Sequence, residues 1–226
     1  METGNNKLQN MSNIKNLNMA IDSSLSYCSI TIFKDEKIIW NKEKKCNFGH
    51  EKYLSILLDK MVKELKVTPK SFSSLYLNYG PARFTCIRSC HSLMKGYFIH
   101  HPVKIYAYTV FEHFYLGLKK NHHGSVGCII DTNRRDIGFQ AMNGKGKTIG
   151  NFQTIQIDED LIKKLDGYDV IIGNGINKIK DMDSFLSIQK KCLYPFSLKS
   201  KYLMKSHYTK KPLKNIPKII YPYSPI

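Results

Sequence analysis

A chain of 226 residues with 42% apolar and 12% aromatic content can bury a sizeable core and suits one large domain or two small ones, which excludes a disordered tail. Its 35 Lys+Arg against 18 Asp+Glu leave a formal charge of +17, a field that attracts polyanions such as RNA. No apolar run approaches the ~20 residues that cross a bilayer, which excludes an inserted helix.

Only four of the basic residues are Arg (Arg83, Arg88, Arg134 and Arg135), and Lys is scattered along the whole chain. Dispersed Lys is also what a compositional bias produces, whereas specific phosphate recognition leans on Arg. The six cysteines, at 28, 46, 86, 90, 128 and 192, follow no framework spacing. Met1 to Asn18 is polar and Asn-rich, unlike a secretory leader. Reduced thiols and a cytoplasmic location are the expectation.

In chain order, residues 1–16 carry little apolar periodicity and read as a flexible extension. Three short strands follow, Leu17 to Ile21, Tyr27 to Phe33 and Lys37 to Trp40, the last two joined by the polar turn "KDEK". The apolar spacing of Leu54, Leu57, Leu58, Met61, Val62 and Leu65 predicts a helix from His50 to Lys66. "SSLYLNY" is a fourth strand, the Gly80-Pro81 turn comes next, and a second helix starts at Phe84. "VKIYAYT" is a fifth strand, and Thr109 with Glu112 forms a capping box that opens a third helix.

The polar "KKNHHG" separates this half, 17–120, from a second, 125–226. The second half opens with strands "SVGCIID" and "RDIGFQAM" and an extended segment near Thr148 to Ile157. A short helix is bounded by Asp158 and Gly167, and "YDVIIGNG" is a buried strand ending in a turn. Both halves thus run strand, strand, strand, helix, strand. The pattern predicts an α/β fold of two related lobes with mixed sheets flanked by helices.

Several constellations could carry chemistry. A strand that runs through a Gly-Pro turn into a helix has the shape of a phosphate site. Asp22 with Ser23, and Asp131 with Thr132, sit at strand ends in the two halves, where carboxylates can hold a metal-phosphate; capped Asx turns are the competing reading. Cys86, Cys90 and His91 share one predicted helix, but His91 lies ~100° round from Cys90. No recognised zinc spacing or nucleophile motif occurs, so neither a metal, a cofactor nor a catalytic residue is assigned. The first helix has an apolar arc wider than one sheet-facing stripe, with Tyr53, Leu57 and Met61 as its surplus edge. The second carries small residues Thr85, Ser89, Ser92 and Gly96, a row that admits another helix. The alternative is that the two rows only pack on each other.

Together "MAIDSSLSYCSITIF", "FGHEKYLSILLDKMVKEL" and "SSLYLNYGPARFTCIRSCHSLMKGYFIHHPVKIYAYTVFEHF" resemble the bacterial TsaB (YeaZ) proteins. Of the family's G-P-G-S-F-T-G-x-R loop, Gly80, Pro81, Phe84, Thr85 and Arg88 are kept, while Ala82, Arg83 and Cys86 depart. The resemblance covers about residues 17–140 and thins beyond. It implies an actin/Hsp70-like (ASKHA) two-lobe fold and a noncatalytic subunit of the tRNA threonylcarbamoyladenosine machinery. A TsaD-like catalytic subunit would dock on Tyr53, Leu57, Met61, Ser89, Ser92 and Gly96. A TsaE-like ATPase would be a further partner, tRNA contact would be indirect or weak, and self-pairing of the isolated chain is left open. Asp22, Ser23, Arg83 and Asp131 would mark a vestigial phosphate region. An ASKHA ATPase or phosphotransferase using Asp22 and Asp131 is the alternative, and the lost glycines at 82 and 86 argue against it.

Overall fold

The computed structural model describes residues 15–118, 124–193, 197–206 and 210–223; most of the 1–16 extension and of "KKNHHG" lies outside them. The first strand, β1 (Leu17–Asp22), pairs antiparallel with β2 (Tyr27–Lys34), and β2 with β3 (Lys37–Lys45). Helix α1 (His50–Leu65) then crosses to β4 (Phe72–Asn78), parallel to β1, and helix α2 (Phe84–Tyr97) to β5 (Lys104–Tyr108), parallel to β4. The sheet order is β3-β2-β1-β4-β5. Strand β3 continues past the predicted end at Trp40, because pairing of Lys44 with Cys28 and Lys45 with Tyr27 needs only backbone groups. Its polar half has no apolar alternation to announce it.

Helix α3 (Val110–Leu116) follows, with the capping box as predicted: the Glu112 N–H donates to Thr109 Oγ1 at 3.1 Å and the Thr109 N–H to Glu112 Oε2 at 2.8 Å. Strands β6 (Val126–Asp131), β7 (Asp136–Met142) and β8 (Thr148–Gln156) form an antiparallel meander. Helix α4 (Glu159–Asp166) leads to β9 (Val170–Ile172), parallel to β6, and the short α5 (Ile176–Ile179) follows. The order β8-β7-β6-β9 repeats the first sheet with one strand fewer. Two mixed sheets flanked by helices, each built as meander, crossover helix and parallel strand, make this an α/β chain of two similarly ordered halves.

Two compact units result, one from the described residues of 1–108 and 199–220, the other from those of 109–198 and 221–226. Residues 199–220 therefore lie with the first unit, not with the 125–226 lobe that the sequence suggested. On one face of the first sheet, Leu17, Met19 and Ile21 of β1 meet Leu54, Leu57, Leu58, Met61 and Leu65 of α1 and Cys90 and Met94 of α2. Each such Leu or Met contributes about 1.5–3 kcal/mol when buried. On the opposite face the 3₁₀ segment Ser200–Ser206 packs against β1, β2 and β4. There Ser200 meets Thr31 hydroxyl to hydroxyl at 2.7 Å, and Leu203 is wholly buried. Further on, Leu213 exchanges backbone hydrogen bonds with Ile105, closing the free edge of β5.

Candidate functional site

The Gly80 loop is held from both sides by groups with no motif of their own. His91, buried on α2, bonds through Nε2 to the Asn78 carbonyl at 2.9 Å, and the Asn78 side-chain oxygen accepts the Gly80 N–H at 2.8 Å. Burial pushes the His91 imidazole below its ordinary value, so the neutral ring with Nε2 protonated fits this bond. Gly80 adopts φ +111°, and a Cβ there would stand 2.2 Å from the carbonyl oxygen of Ile220. The Ile220 N–H donates to Tyr79 O at 2.8 Å. What approaches this glycine is therefore the chain's own late segment.

The remaining residues of the expected phosphate region make internal contacts. Ser24 donates to Asp22 Oδ1 at 2.8 Å, and Ser23 donates to the Cys86 carbonyl in the first turn of α2 at 2.9 Å. Asp22 and Ser23 are both buried, and Arg83 donates to the Asn47 carbonyl at 2.8 Å. In the second unit Asp131 pairs with Lys178 at 2.8 Å and accepts the Asn133 N–H at 2.7 Å, the Asx turn weighed from sequence. The Arg134 guanidinium lies 3.8 Å over the Tyr223 ring. Burial raises the Cys86 thiol to about 11 and the Cys90 thiol to about 12, which removes both as nucleophiles at neutral pH.

The helix face departs in part from expectation. Met61 is wholly buried and Leu57 is 8% exposed, both inside the core of the first unit, so neither forms a surplus edge. The arc of α1 is wide because it meets both the sheet and α2. The residue it turns outward is Ile56, 50% exposed, with Tyr53 half-buried beside it. The small-residue row of α2 does face outward: Thr85, Ser92 and Gly96 are exposed, Ser89 is half-buried, and a Cβ on Gly96 would meet nothing within 4 Å. Near the ends of the two helices stand the exposed Phe48, Phe84 and Ile99.

The Cys86, Cys90, His91 set does not gather, since His91 is bonded to Asn78. Another group does: the ligand atoms of Cys28, Cys46 and His50 all lie within 4.8 Å of one another. They escape a spacing motif because the two cysteines stand 18 positions apart, at opposite ends of a hairpin. Among the described residues, no helix is long and apolar enough to cross a membrane.

No family model matches the chain. A tRNA threonylcarbamoyladenosine biosynthesis protein TsaB of Buchnera aphidicola subsp. Schizaphis graminum is 26% identical over 187 residues, covering 78% of this chain and 87% of its own length. The protein of the same name from Buchnera aphidicola subsp. Acyrthosiphon pisum is 28% identical over 83 residues, 37% of each chain. Among solved structures, a protein with similarity to peptidase YeaZ from Pseudomonas aeruginosa superposes with TM-score 0.72 at 12% identity, over 92% of this chain and all of its own. YeaZ from Pseudomonas aeruginosa superposes with TM-score 0.64 at 15% identity, over 84% of this chain and 89% of its own.

Proposed function

We propose, from its likeness to the TsaB proteins, that the chain is a TsaB (YeaZ)-type noncatalytic subunit of tRNA threonylcarbamoyladenosine synthesis, pairing with a TsaD-like threonylcarbamoyltransferase. The observation that carries the pairing is the outward row Thr85, Ser89, Ser92 and Gly96 on α2, open at Gly96; on α1, Ile56 is exposed and Tyr53 half-buried. Small side chains let a partner helix approach to the short end of the ~8–10 Å interaxial range, and exposed apolar side chains give the contact its desolvated centre. Tyr53, Ser89, Ser92 and Gly96 are retained as interface residues; Ile56 takes the place of Leu57 and Met61. A TsaE-like ATPase joins as a further partner, and tRNA is reached through the catalytic subunit.

The noncatalytic reading rests on the closed loops. Asp22, Ser23, Arg83 and Asp131 each meet groups of their own unit, and Ile220 backbone lies against Gly80. A kinase-like reading through Asp22 and Asp131 would need this loop vacated. Co-expression with a TsaD-like protein followed by size-exclusion chromatography tests the proposal. Co-elution of the native chain, lost in Gly96→Leu and in Ile56→Asp, is the expected result, with no ATP hydrolysis by the isolated chain above background. Co-elution undisturbed by both substitutions would place the interface elsewhere; hydrolysis abolished by Asp22→Ala would restore the enzyme reading.

A further inference from the structure

Three side chains with the right chemistry for a soft divalent metal meet where the β2–β3 hairpin joins α1. Cys28 stands near the start of β2, Cys46 just past the end of β3, and His50 is the first residue of α1. All are buried, at 0%, 6% and 2% exposure. The two Sγ atoms are 3.4 Å apart and all three ligand atoms fall within 4.8 Å of one another. Zinc–sulfur bonds of about 2.3 Å at a tetrahedral angle set two thiolates ~3.8 Å apart, so the sulfurs need move only by tenths of an ångström.

The surroundings fix the geometry of the cluster. His50 Nε2 is 2.7 Å from the Leu25 carbonyl, which can only accept, so Nε2 carries the proton and Nδ1 keeps its lone pair. A ligating histidine is commonly oriented in this way, through its other nitrogen. The Cys46 N–H is anchored on the Ser26 carbonyl at 3.0 Å, holding the open end of the hairpin against the same turn. Two sulfurs and an imidazole nitrogen suit zinc-type ions and not calcium or magnesium, which take oxygen donors.

We propose that Cys28, Cys46 and His50 form a site for a zinc-type divalent transition metal that ties the β2–β3 hairpin to the N-terminus of α1. Binding forms two thiolate–metal bonds and one imidazole–metal bond and releases the two thiol protons to solvent, with no change of oxidation state. Three of the four tetrahedral positions are then filled by the protein.

The test uses the full chain, chelator-stripped, reduced and kept anaerobic, titrated with Co²⁺ alone. The expected result is saturation at one equivalent, with a near-ultraviolet thiolate-to-cobalt charge-transfer band and the visible bands of a tetrahedral ion, all displaced by Zn²⁺. Zinc in excess of its dissociation constant by about a hundredfold should raise the melting temperature by roughly 5–10 °C. Cys46→Ser should lose most of the charge-transfer intensity, and His50→Gln, which keeps a donor for the Leu25 carbonyl, should weaken Co²⁺ binding at least about tenfold. Circular dichroism checks that both variants fold; if one does not, the spectrum of the native chain decides. A folded, reduced native chain without the band overturns the site, as does a band unchanged in both variants. Mass loss of a Cys28–Cys46 disulfide without metal uptake would also overturn it.

Discussion

His91 and Gly80 show how much of the first loop depends on single side chains without a motif. Because burial lowers the folded-state His91 pKa below the unfolded value, the neutral ring's contribution to stability is complete above the unfolded pKa of ~6.5. It is lost as pH falls through the lower, folded value. Chemical denaturation from pH 7.5 down to pH 5 should therefore show falling stability, with a shallower fall in His91→Asn; superimposable pH profiles would refute the assignment. Gly80→Ala must place a methyl group 2.2 Å from a backbone oxygen at φ +111°, costing about 2 kcal/mol or more. A lower urea midpoint at unchanged slope would report it, and an unchanged midpoint would mean that Ile220 does not lie on this loop. The turn itself was legible from Gly80-Pro81. Its cover was not, since Ile220 is 140 positions away and nothing in "PKIIYPYSPI" points back to it.

The two long helices were placed by their apolar spacing, yet which residues they turn outward was legible for only one of them. In α2 the outward position of the small row was legible, because Thr85, Ser89, Ser92 and Gly96 fill the side opposite Cys90 and Met94. In α1 an apolar count around the wheel could not separate a partner-facing edge from a groove shared by a sheet and a second helix. Leu57 and Met61 serve that groove. This difference makes the interface variants clean. Leu57→Asp would bury a charge in the core, whereas Gly96→Leu sits in open space and replaces a residue that costs a helix interior about 0.8–1 kcal/mol. Thermal melting should show Gly96→Leu as stable as the native chain or slightly more so, and Ile56→Asp within about 0.5 kcal/mol of it. A marked loss of stability in Gly96→Leu would show that the row is already occupied within the chain.

At the scale of the whole molecule, the duplicated order of elements was legible and the course of the last residues was not. Ser200 and Leu203 carry no run or period, but their segment packs on β1, β2 and β4 of the first sheet. Charge is likewise a property of the whole: a net +17 spread over scattered lysines should bind tRNA without preference. Filter binding of two unrelated tRNAs should give similar affinities, each falling at least about tenfold between about 50 and 200 mM salt. Selective binding that survives such salt would assign tRNA recognition to this chain.

The return of residues 199–220 to the first unit has a consequence for how the protein is made. A ribosome delivers the first sheet early, but the segment that packs on its second face, closes the edge at Ile105 and seats against Gly80 leaves the exit tunnel only after residues 109–198 of the second unit. Until then β1, β2 and β4 present an apolar and aromatic face, including Phe33 and Tyr76, and β5 an unpaired edge, the features that nascent chains must shield from one another. The first unit is thus completed only after residues 109–198 of the second have been synthesised, and translation halted near residue 198 would release a chain with both units begun and the first still open.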